Sequence, residues 1–177
     1  RACKEHLPSI SKELNNPKLN LIIGDGIEYV KKSSPRKYDL IFIDGSDPVG
    51  PAEGLFTDEF YTNCKKALAN NGLLVAQGES PMFNEKVFVE LNQCLKNIFG
   101  DEKVDTMLFY VPTYPTGVWS FQIASNGNVN PLSLAEEKIT AFVEEHQLGY
   151  YNEQIHLAAF AMPNFVKKLL KKESVTA

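Results

Sequence analysis

The chain has 177 residues, of which 44% are hydrophobic and 23% charged, so it is long enough and apolar enough to bury one hydrophobic core. Its net charge of −4, with scattered basic residues, argues against nucleic acid as the main partner, and no apolar run approaches a membrane-spanning length. The three cysteines are far apart and form no CxxC pair, which argues against a zinc site and favours a reducing, cytoplasmic location.

The first part of the chain alternates between helical and extended patterns. We predict a helix over residues 1–14, a buried strand over 19–23 (LNLII), a short helix over 27–32 and a second buried strand over 38–43 (YDLIFI). The sequence begins with Arg1 inside a helical pattern, with no strand before it. We therefore expect the chain to be a piece of a longer protein.

The rest of the chain continues the alternation. Thr57, followed by two acidic residues, predicts the capped start of a helix over 57–68, which Asn70-Asn71-Gly72 should end. We predict further strands over 73–77, 104–113 and 117–125, with a tight turn from Tyr114 to Gly117 between the last two, and helices over 83–99, 133–147 and 154–172.

This pattern predicts an α/β fold. Unbroken apolar strands that alternate with helices are typical of a mostly parallel sheet covered on both faces, here with an antiparallel pair near the end. Ligands of such sheets bind beyond the carboxyl ends of the strands. Polar clusters follow the first three predicted strands, at Asp25-Gly26, at residues 44–47 and at residues 77–79. We therefore predict one site along this edge.

The clusters differ in how strongly they indicate a ligand. In the stretch DLIFIDGSDPVGPAEGLF (39–56), Asp44 and Asp47 follow a strand and should repel each other unless they share a cation. Pro48 and Pro51 make that loop rigid. Asp25-Gly26 fits a turn with a helix cap, and Asp25 also fits an acceptor for an amino group with the Gly26 backbone close to a ring.

For several other residues, the residue type fits a structural role as well as, or better than, a ligand contact. Gln77 and Tyr114 fit a satisfied polar position as well as a ligand contact. Trp119 is more typical of a core. His146 and His156 lack metal-ligand spacing and are expected to be structural or on the surface.

Five stretches, in chain order, resemble the spermidine synthase family of aminopropyltransferases: GDGIEYV (24–30), DGSDPVGPAEGLF (44–56), VAQGES (75–80), VPTYPTG (111–117) and YYNEQIHLAAFAMPNF (150–165). The resemblance covers nearly the whole chain. It implies a methyltransferase-like Rossmann fold and the transfer of an aminopropyl group from decarboxylated S-adenosylmethionine, as co-substrate, to putrescine. It implies neither a metal nor another cofactor.

The resemblance also implies roles for residues on the nucleoside side. Asp25 resembles the acid that binds the adenine amino group, with Gly26 beside it, and Pro51 resembles a residue that lines the nucleoside. Gly45 departs from the family, which usually has serine there, so a hydroxyl contact is expected to be lost.

On the amine side, Asp44 resembles the proton acceptor of the family and Asp47 a partner of the amine. Gln77 and Tyr114 resemble wall residues of the polyamine channel. A carboxylate suits this chemistry because an alkylamine, with a pKa of about 10.4 like that of lysine, carries a proton at neutral pH.

The family pattern also includes parts that this sequence does not contain. An N-terminal β-rich domain, a glycine-rich loop and a strand ending in a ribose-binding acid have no counterpart, so residues 1–177 are expected to be the C-terminal portion of one catalytic domain. The resemblance implies a homodimer or homotetramer. Two alternatives stay open: a small-amine N-methyltransferase on the same scaffold, and a non-catalytic fragment.

Overall fold

A single sheet organises the part of the chain that the computed structural model describes, which comprises residues 2–45, 54–133 and 135–171. Its strands are β1 (Tyr38–Ile43), β2 (Leu68–Gln77), β3 (Val104–Tyr110) and β4 (Val118–Ser125), in the spatial order β1-β2-β4-β3. β1 and β2 are parallel, whereas β4 runs antiparallel to both β2 and β3. The predicted α/β fold with an antiparallel pair near the end is confirmed, and of the three strand pairings among the described residues only that of β1 with β2 is parallel.

Helices precede, connect and follow the strands. They are α1 (Ala2–His6), α2 (Pro8–Ser11), α3 (Gly26–Lys31), α4 (Asp58–Ala67), α5 (Glu85–Phe99), α6 (Glu136–His146), α7 (Glu153–Ala159) and α8 (Asn164–Leu169). Short 3-10 helices cover Lys12–Asn15 and Asp101–Lys103. Among the described residues, none of the helices has the length and hydrophobicity needed to cross a membrane.

Two of the predicted helices are interrupted by proline. The first is broken at Leu7 because Pro8 disfavours helical backbone at the residue before it, and Leu7 has φ −131° and ψ 55°. The last is divided into α7 and α8, with Pro163 in extended backbone before α8. By contrast, α5 forms as one continuous helix within the predicted range.

The predicted strand over residues 19–23 is wrong. This segment forms no strand in the described structure, and Ile23 is 92% exposed. β1 forms where predicted but is not buried, since Leu40 and Phe42 are 51% and 68% exposed. Both errors have the same physical reason: an apolar strand is buried by neighbouring elements, and β1 pairs only with β2 among the described residues.

Helix α4 begins as predicted but ends earlier. The Thr57 hydroxyl accepts the backbone N–H of Phe60, which satisfies a free donor of the first turn. The predicted end at Asn70–Gly72 is wrong, because Leu68 already has extended backbone and pairs with Tyr38 of β1. The pairing with β1 therefore fixes the start of β2 five residues before the strand predicted over residues 73–77.

The core lies where α4 and α5 pack against the sheet. Its largest cluster contains buried residues of both helices and of β2, β3 and β4, among them Phe60, Tyr61, Cys64, Leu74, Leu95 and Ala124. A second cluster, formed by Phe88, Val166 and Leu169, joins α8 to α5. These contacts hold β1 and β2 in fixed positions, and the carboxyl ends of these two strands carry Asp44 and Gln77.

Candidate active site

Asp44 and Gln77 follow neighbouring positions of two parallel strands. Ile43 of β1 is the register partner of Ala76 of β2, and the two polar residues come directly after that pair. Gln77 is in turn the partner of Phe121 on β4. Since adjacent strands lie about 4.8 Å apart, the two polar side chains start side by side at the carboxyl edge of the parallel pair.

A cavity of about 890 Å³ opens at this edge. Asp44, Gln77 and Asn84 are among its polar lining residues, and Tyr114 contributes a phenol from the turn between β3 and β4. The structure therefore brings together three residues that the sequence predicted for the amine side: Asp44, Gln77 and Tyr114. The fourth, Asp47, and the nucleoside-side Pro51 lie outside the described residues.

The remaining wall of the cavity is aromatic. The rings of Phe109 and Phe121 are stacked with centroids 4.5 Å apart, and Tyr114 and Trp119 lie 4.9 Å apart. Trp119, predicted as core, is indeed only 7% exposed, yet it also lines the cavity. The arrangement, an acid and amides beside an apolar wall, suits an elongated aliphatic ligand with a cationic end.

The turn that carries Tyr114 is tightly closed. The backbone nitrogen of Tyr114 donates to Val111 O, and that of Gly117 donates to Tyr114 O, both at 3.0 Å. Thr116 and Gly117 both have positive φ, at 70° and 66°. The predicted tight turn is confirmed, and a hydrogen bond of 3.0 Å between the hydroxyls of Thr116 and Ser80 ties it to the segment after β2.

The segment after β2 is strained and buried. Glu79 has φ +62° and is 0% exposed, a rare backbone conformation for a residue other than glycine. It is held there because the Ser120 hydroxyl donates to Glu79 O at 2.8 Å and Gly78 N donates to Ser120 O at 2.8 Å. A side chain at Gly78 would bring its Cβ to 2.7 Å from Ser120 Oγ, so only glycine fits. Such strain is concentrated at functional sites.

The Glu79 carboxylate binds two amides of the cavity wall. Gln77 Nε2 donates to Glu79 Oε1 at 3.1 Å, and Asn84 Nδ2 donates to Glu79 Oε2 at 2.6 Å. Two other wall atoms, Gln77 Oε1 and Trp119 Nε1, are buried without a hydrogen-bond partner in the described structure. Buried polar atoms are almost always paired, so these two unpaired atoms are exceptions within the described structure.

Sequence reasoning missed several of these residues. Trp119 and Phe121 are two apart on β4 and therefore share a face, a spacing that was readable once the strand had been assigned. Glu79 fell within the polar cluster predicted at residues 77–79, but Asn84 gave no signal, because the two residues meet only through the turn that joins β2 to α5.

Asp25 lies in a separate depression and caps α3. Its Oδ1 atom accepts the backbone N–H groups of Ile27 and Glu28. The depression, of about 390 Å³, is also lined by Gly24 and Tyr29. Asp25 and Gly26 are thus not in the cavity of Asp44, because residues 19–23, which precede them, are not part of the described sheet. Their role in nucleoside binding stays a prediction.

Gly45 fits its surroundings closely. A Cβ at this position would lie 3.1 Å from Leu55 Cδ1, closer than side chains normally approach. The serine that the family usually has here would therefore require Leu55 to move. The departure from the family pattern is matched by local packing.

The histidines have no place in the cavity. His156 Nε2 lies 2.7 Å from Pro131 O, so it donates a proton, and Nδ1 lies 3.0 Å from the Tyr151 hydroxyl. His156 is thus structural, as predicted. Within residues 2–45, 54–133 and 135–171, no group of three or more histidine, cysteine or acidic side chains is arranged to hold a metal ion.

Comparisons with known proteins agree with this geometry. The spermine/spermidine synthase domain family matches residues 1–133. The polyamine aminopropyltransferases of Methanocaldococcus jannaschii and Clostridium perfringens are 42% and 41% identical to the chain over 97% and 96% of its length. The chain spans 58% of each of these relatives.

Solved structures show the same likeness. A spermidine synthase in complex with the transition-state analogue AdoDATO is 36% identical and superposes with a TM-score of 0.86, over 96% of this chain and 56% of that one. The spermidine synthase of Thermotoga maritima is 34% identical with a TM-score of 0.81, over 96% of this chain and 55% of that one.

Proposed function

The chain belongs to the spermine/spermidine synthase family, and from this premise we propose that the complete protein is an aminopropyltransferase. It moves the aminopropyl group of decarboxylated S-adenosylmethionine to putrescine and releases spermidine and methylthioadenosine. The observation that carries the proposal is the position of Asp44 and Gln77, side by side in an aromatic-walled cavity. A carboxylate and an amide oxygen there suit an aliphatic amine, and the aromatic wall suits its methylenes.

The reaction is a displacement at carbon. The nitrogen of putrescine forms a bond to the propyl carbon attached to the sulfonium, and the carbon–sulfur bond breaks. The electron pair of that bond stays on the sulfur, which becomes the neutral thioether of the nucleoside. The leaving group is good without assistance, so the chemistry needs neither a metal nor a covalent intermediate. The attacking amine needs to lose a proton, and holding amine and carbon in line supplies much of the remaining rate enhancement.

Asp44 is proposed as the proton acceptor. Its carboxylate lines the cavity at the end of β1, where an amine that docks beside Gln77 comes within its reach. Tyr114 is proposed as a wall residue of the amine channel, and Asp47 as a partner for the ammonium. Asp44 and Asp47 both stabilise the doubly charged diamine, and in its absence the two carboxylates repel each other.

The donor is proposed to contact residues outside the amine cavity. Asp25 accepts the adenine amino group, with Gly26 beside it, and Pro51 lines the nucleoside. The Oδ2 atom of Asp25 suits this role because the hydrogen bonds that cap α3 both use Oδ1. The glycine-rich loop and the ribose-binding acid that the family resemblance implies are proposed to complete the donor site.

The oligomeric state and the cellular location of the protein are also proposed. The family resemblance supports a homodimer or homotetramer, and the scattered cysteines support the cytoplasm. No nucleic acid or membrane is proposed as a partner.

The test is a product analysis with both possible donors. The complete protein is incubated with putrescine and either decarboxylated S-adenosylmethionine or S-adenosylmethionine, and the products are identified by mass spectrometry. Spermidine and methylthioadenosine are expected with the decarboxylated donor alone. A methylated amine with S-adenosylhomocysteine would replace the proposal with an N-methyltransferase, and no product with either donor would contradict both.

A further inference from the structure

The turn that carries Tyr114 is attached to the segment after β2 by one hydrogen bond. The hydroxyls of Ser80 and Thr116 lie 3.0 Å apart, and Ser80 belongs to the connection between β2 and α5. Within the ranges that the structure describes, no other hydrogen bond joins residues 111–117 to a residue outside β3, β4 and the turn itself. Tyr114 is 52% exposed, so packing contributes little to fixing its position. The position of the turn therefore depends on this hydroxyl pair.

The hydrogen bonds of the two hydroxyls run in one direction. Ser80 Oγ accepts the backbone N–H groups of Met82 and Phe83, both at 3.3 Å. The hydrogen of the Ser80 hydroxyl is therefore donated to Thr116 Oγ1. The Thr116 hydroxyl in turn donates to Val118 O at 3.3 Å. Each hydroxyl thus donates once and accepts at least once, which uses the hydrogen-bonding capacity of both groups.

Thr116 adopts a backbone conformation that its residue type disfavours. Its φ of 70° lies in the left-handed region, which glycine adopts readily and which is rare for a β-branched residue. A threonine there indicates that the side chain has a role that glycine could not fill. At the other end of the pair, Ser80 follows Glu79, which also has a positive φ, of 62°. The pair therefore connects two strained segments, and such strain is concentrated at functional sites.

Both segments that the pair connects line the amine cavity. Phe83 lines it from the segment after β2, and Tyr114 lines it from the turn. Ser80 holds the first segment through the backbone N–H of Phe83 and the second through Thr116. Ser80 and Thr116 themselves are not among the residues that line the cavity, so neither contacts a ligand there.

We propose that Ser80 and Thr116 are positioning residues for the amine: their hydroxyl pair fixes the spacing between Phe83 and Tyr114, and with it the shape of the cavity. The inference rests on the proposed function and adds these two residues to it. An aliphatic chain is attracted to an aromatic wall only in close contact, and a gap of about 0.5–1 Å already loses a quarter to a half of that attraction.

The pair should affect amine binding and not the chemical step. Tyr114 is supported on one side by Trp119, with ring centroids 4.9 Å apart, so without the pair the turn and its tyrosine are free to move away from the amine. Asp44, the proposed base, follows β1, which is separated from β4 by β2. Its position does not depend on the turn.

The experiment measures the dissociation constant of putrescine for the complete protein by calorimetry, with methylthioadenosine present to fill the nucleoside side. Thr116→Val removes the hydroxyl and keeps the β-branched shape, whereas Thr116→Ser keeps the hydroxyl. Thr116→Val should bind putrescine about fivefold more weakly, as for one lost neutral hydrogen bond. Thr116→Ser should stay within about twofold of the natural sequence. The dissociation constant of methylthioadenosine should not change in either variant.

The matched control is Thr113→Val, the same chemical change in the same turn. Thr113 is exposed, and its side chain makes no hydrogen bond among the described residues, so putrescine binding should not change. Ser80→Ala tests the other end of the pair. If both residues act through one hydrogen bond, the double variant Ser80→Ala/Thr116→Val should bind putrescine no more weakly than the weaker single variant. Thr116 is exposed, so its variants test the inference even if the buried Ser80→Ala fails to fold.

A spectroscopic measurement follows the turn without any ligand. Because the rings of Trp119 and Tyr114 are in contact, the fluorine NMR resonance of fluorotryptophan at position 119 depends on where the tyrosine lies. The resonance is assigned in the complete protein by its absence in Trp119→Phe. It should move in Thr116→Val and stay in place in Thr116→Ser and Thr113→Val.

The outcomes separate this inference from the proposed function. The inference is overturned if Thr116→Val binds putrescine as tightly as the natural sequence, if Thr116→Ser is as weak as Thr116→Val, if methylthioadenosine binding weakens equally, or if the fluorine resonance does not move. In an aminopropyl-transfer assay, Thr116→Val should raise the Michaelis constant for putrescine and leave turnover at saturating amine unchanged. If the natural protein binds putrescine but transfers nothing, only the proposed function fails, and the binding and fluorine measurements still decide the inference.

Discussion

The Oδ1 atom of Asp25 accepts the backbone N–H of Ile27 at 2.8 Å and so caps α3, while Oδ2 of the same carboxylate has no hydrogen-bond partner among the described residues. One side chain thus offers a structural acceptor and a free acceptor at once. The capping role and the proposed adenine contact are therefore compatible, and they are separable by mutation.

We predict that Asp25→Ser in the complete enzyme weakens the donor and spares the fold. Serine is as good an N-cap as aspartate, so the free energy of unfolding should change by less than about 0.5 kcal/mol. The adenine amino group loses its acceptor, so the Michaelis constant for the decarboxylated donor should rise about tenfold. Steady-state kinetics and urea denaturation measure the two effects. If the Michaelis constant for the donor stays unchanged in a stable variant, Asp25 caps α3 but does not bind the adenine.

Asp44→Asn is expected to reduce turnover of the complete enzyme by about 10²–10⁴, the usual contribution of a general base. Asparagine keeps the size of the side chain but accepts no proton from the amine at neutral pH. Raising the pH should restore part of the rate, because more of the amine, with a pKa of about 10.4, then arrives uncharged.

The matched control for this variant is Asp39→Asn, the same change on an exposed residue near the opposite end of β1. It should leave turnover unchanged. Turnover is measured from about pH 7 to pH 10. Near-normal turnover of Asp44→Asn at neutral pH would mean that the proton leaves by another route.

The sequence predicted those parts of the site that depend on a single strand end or a single turn. Asp44 comes directly after β1 and Gln77 ends β2, and their neighbourhood follows from parallel pairing alone. Tyr114 lies in a turn whose residue types favour tight closure. Such local patterns carry enough information to place a side chain at a sheet edge.

The contacts that the sequence did not predict depend on tertiary pairing. Residues 19–23 have the composition of a buried strand, but burial requires neighbours that the described part of the chain does not supply. The hydrogen bond between Glu79 and Asn84 needs a strained turn whose geometry is set by Ser120 on β4. The hydrophobic periodicity of the sequence predicts neither the exposure of residues 19–23 nor this hydrogen bond.

We predict that Cys64 and Cys94 are inert toward iodoacetamide at pH 8 in the folded protein. Burial raises the pKa of the Cys64 thiol to about 12 and raises that of Cys94 as well, so almost no reactive thiolate is present. Cys3 is exposed and serves as the internal reference. Peptide mass spectrometry should find modified Cys64 and Cys94 only after denaturation. Modification of Cys64 in the native protein at the rate of Cys3 would contradict the packing of α4 and α5.

The last prediction concerns Asp105, a partly buried acid on β3. Desolvation raises its pKa above the ordinary value of 3.8, so the folded state binds the proton more tightly than the unfolded state. Between these two pKa values, the contribution of Asp105 to stability therefore falls as the pH rises, and at neutral pH the ionised group is destabilising. Asp105→Asn should raise the melting temperature at pH 7, and this gain should shrink as the pH is lowered through the raised pKa toward about 4.

Asp101→Asn, on an exposed residue of the adjacent 3-10 helix, is the matched control and should show no such trend. Thermal denaturation of the three proteins across this pH range measures the effect. A gain from Asp105→Asn that is the same at every pH would come from packing and not from the charge.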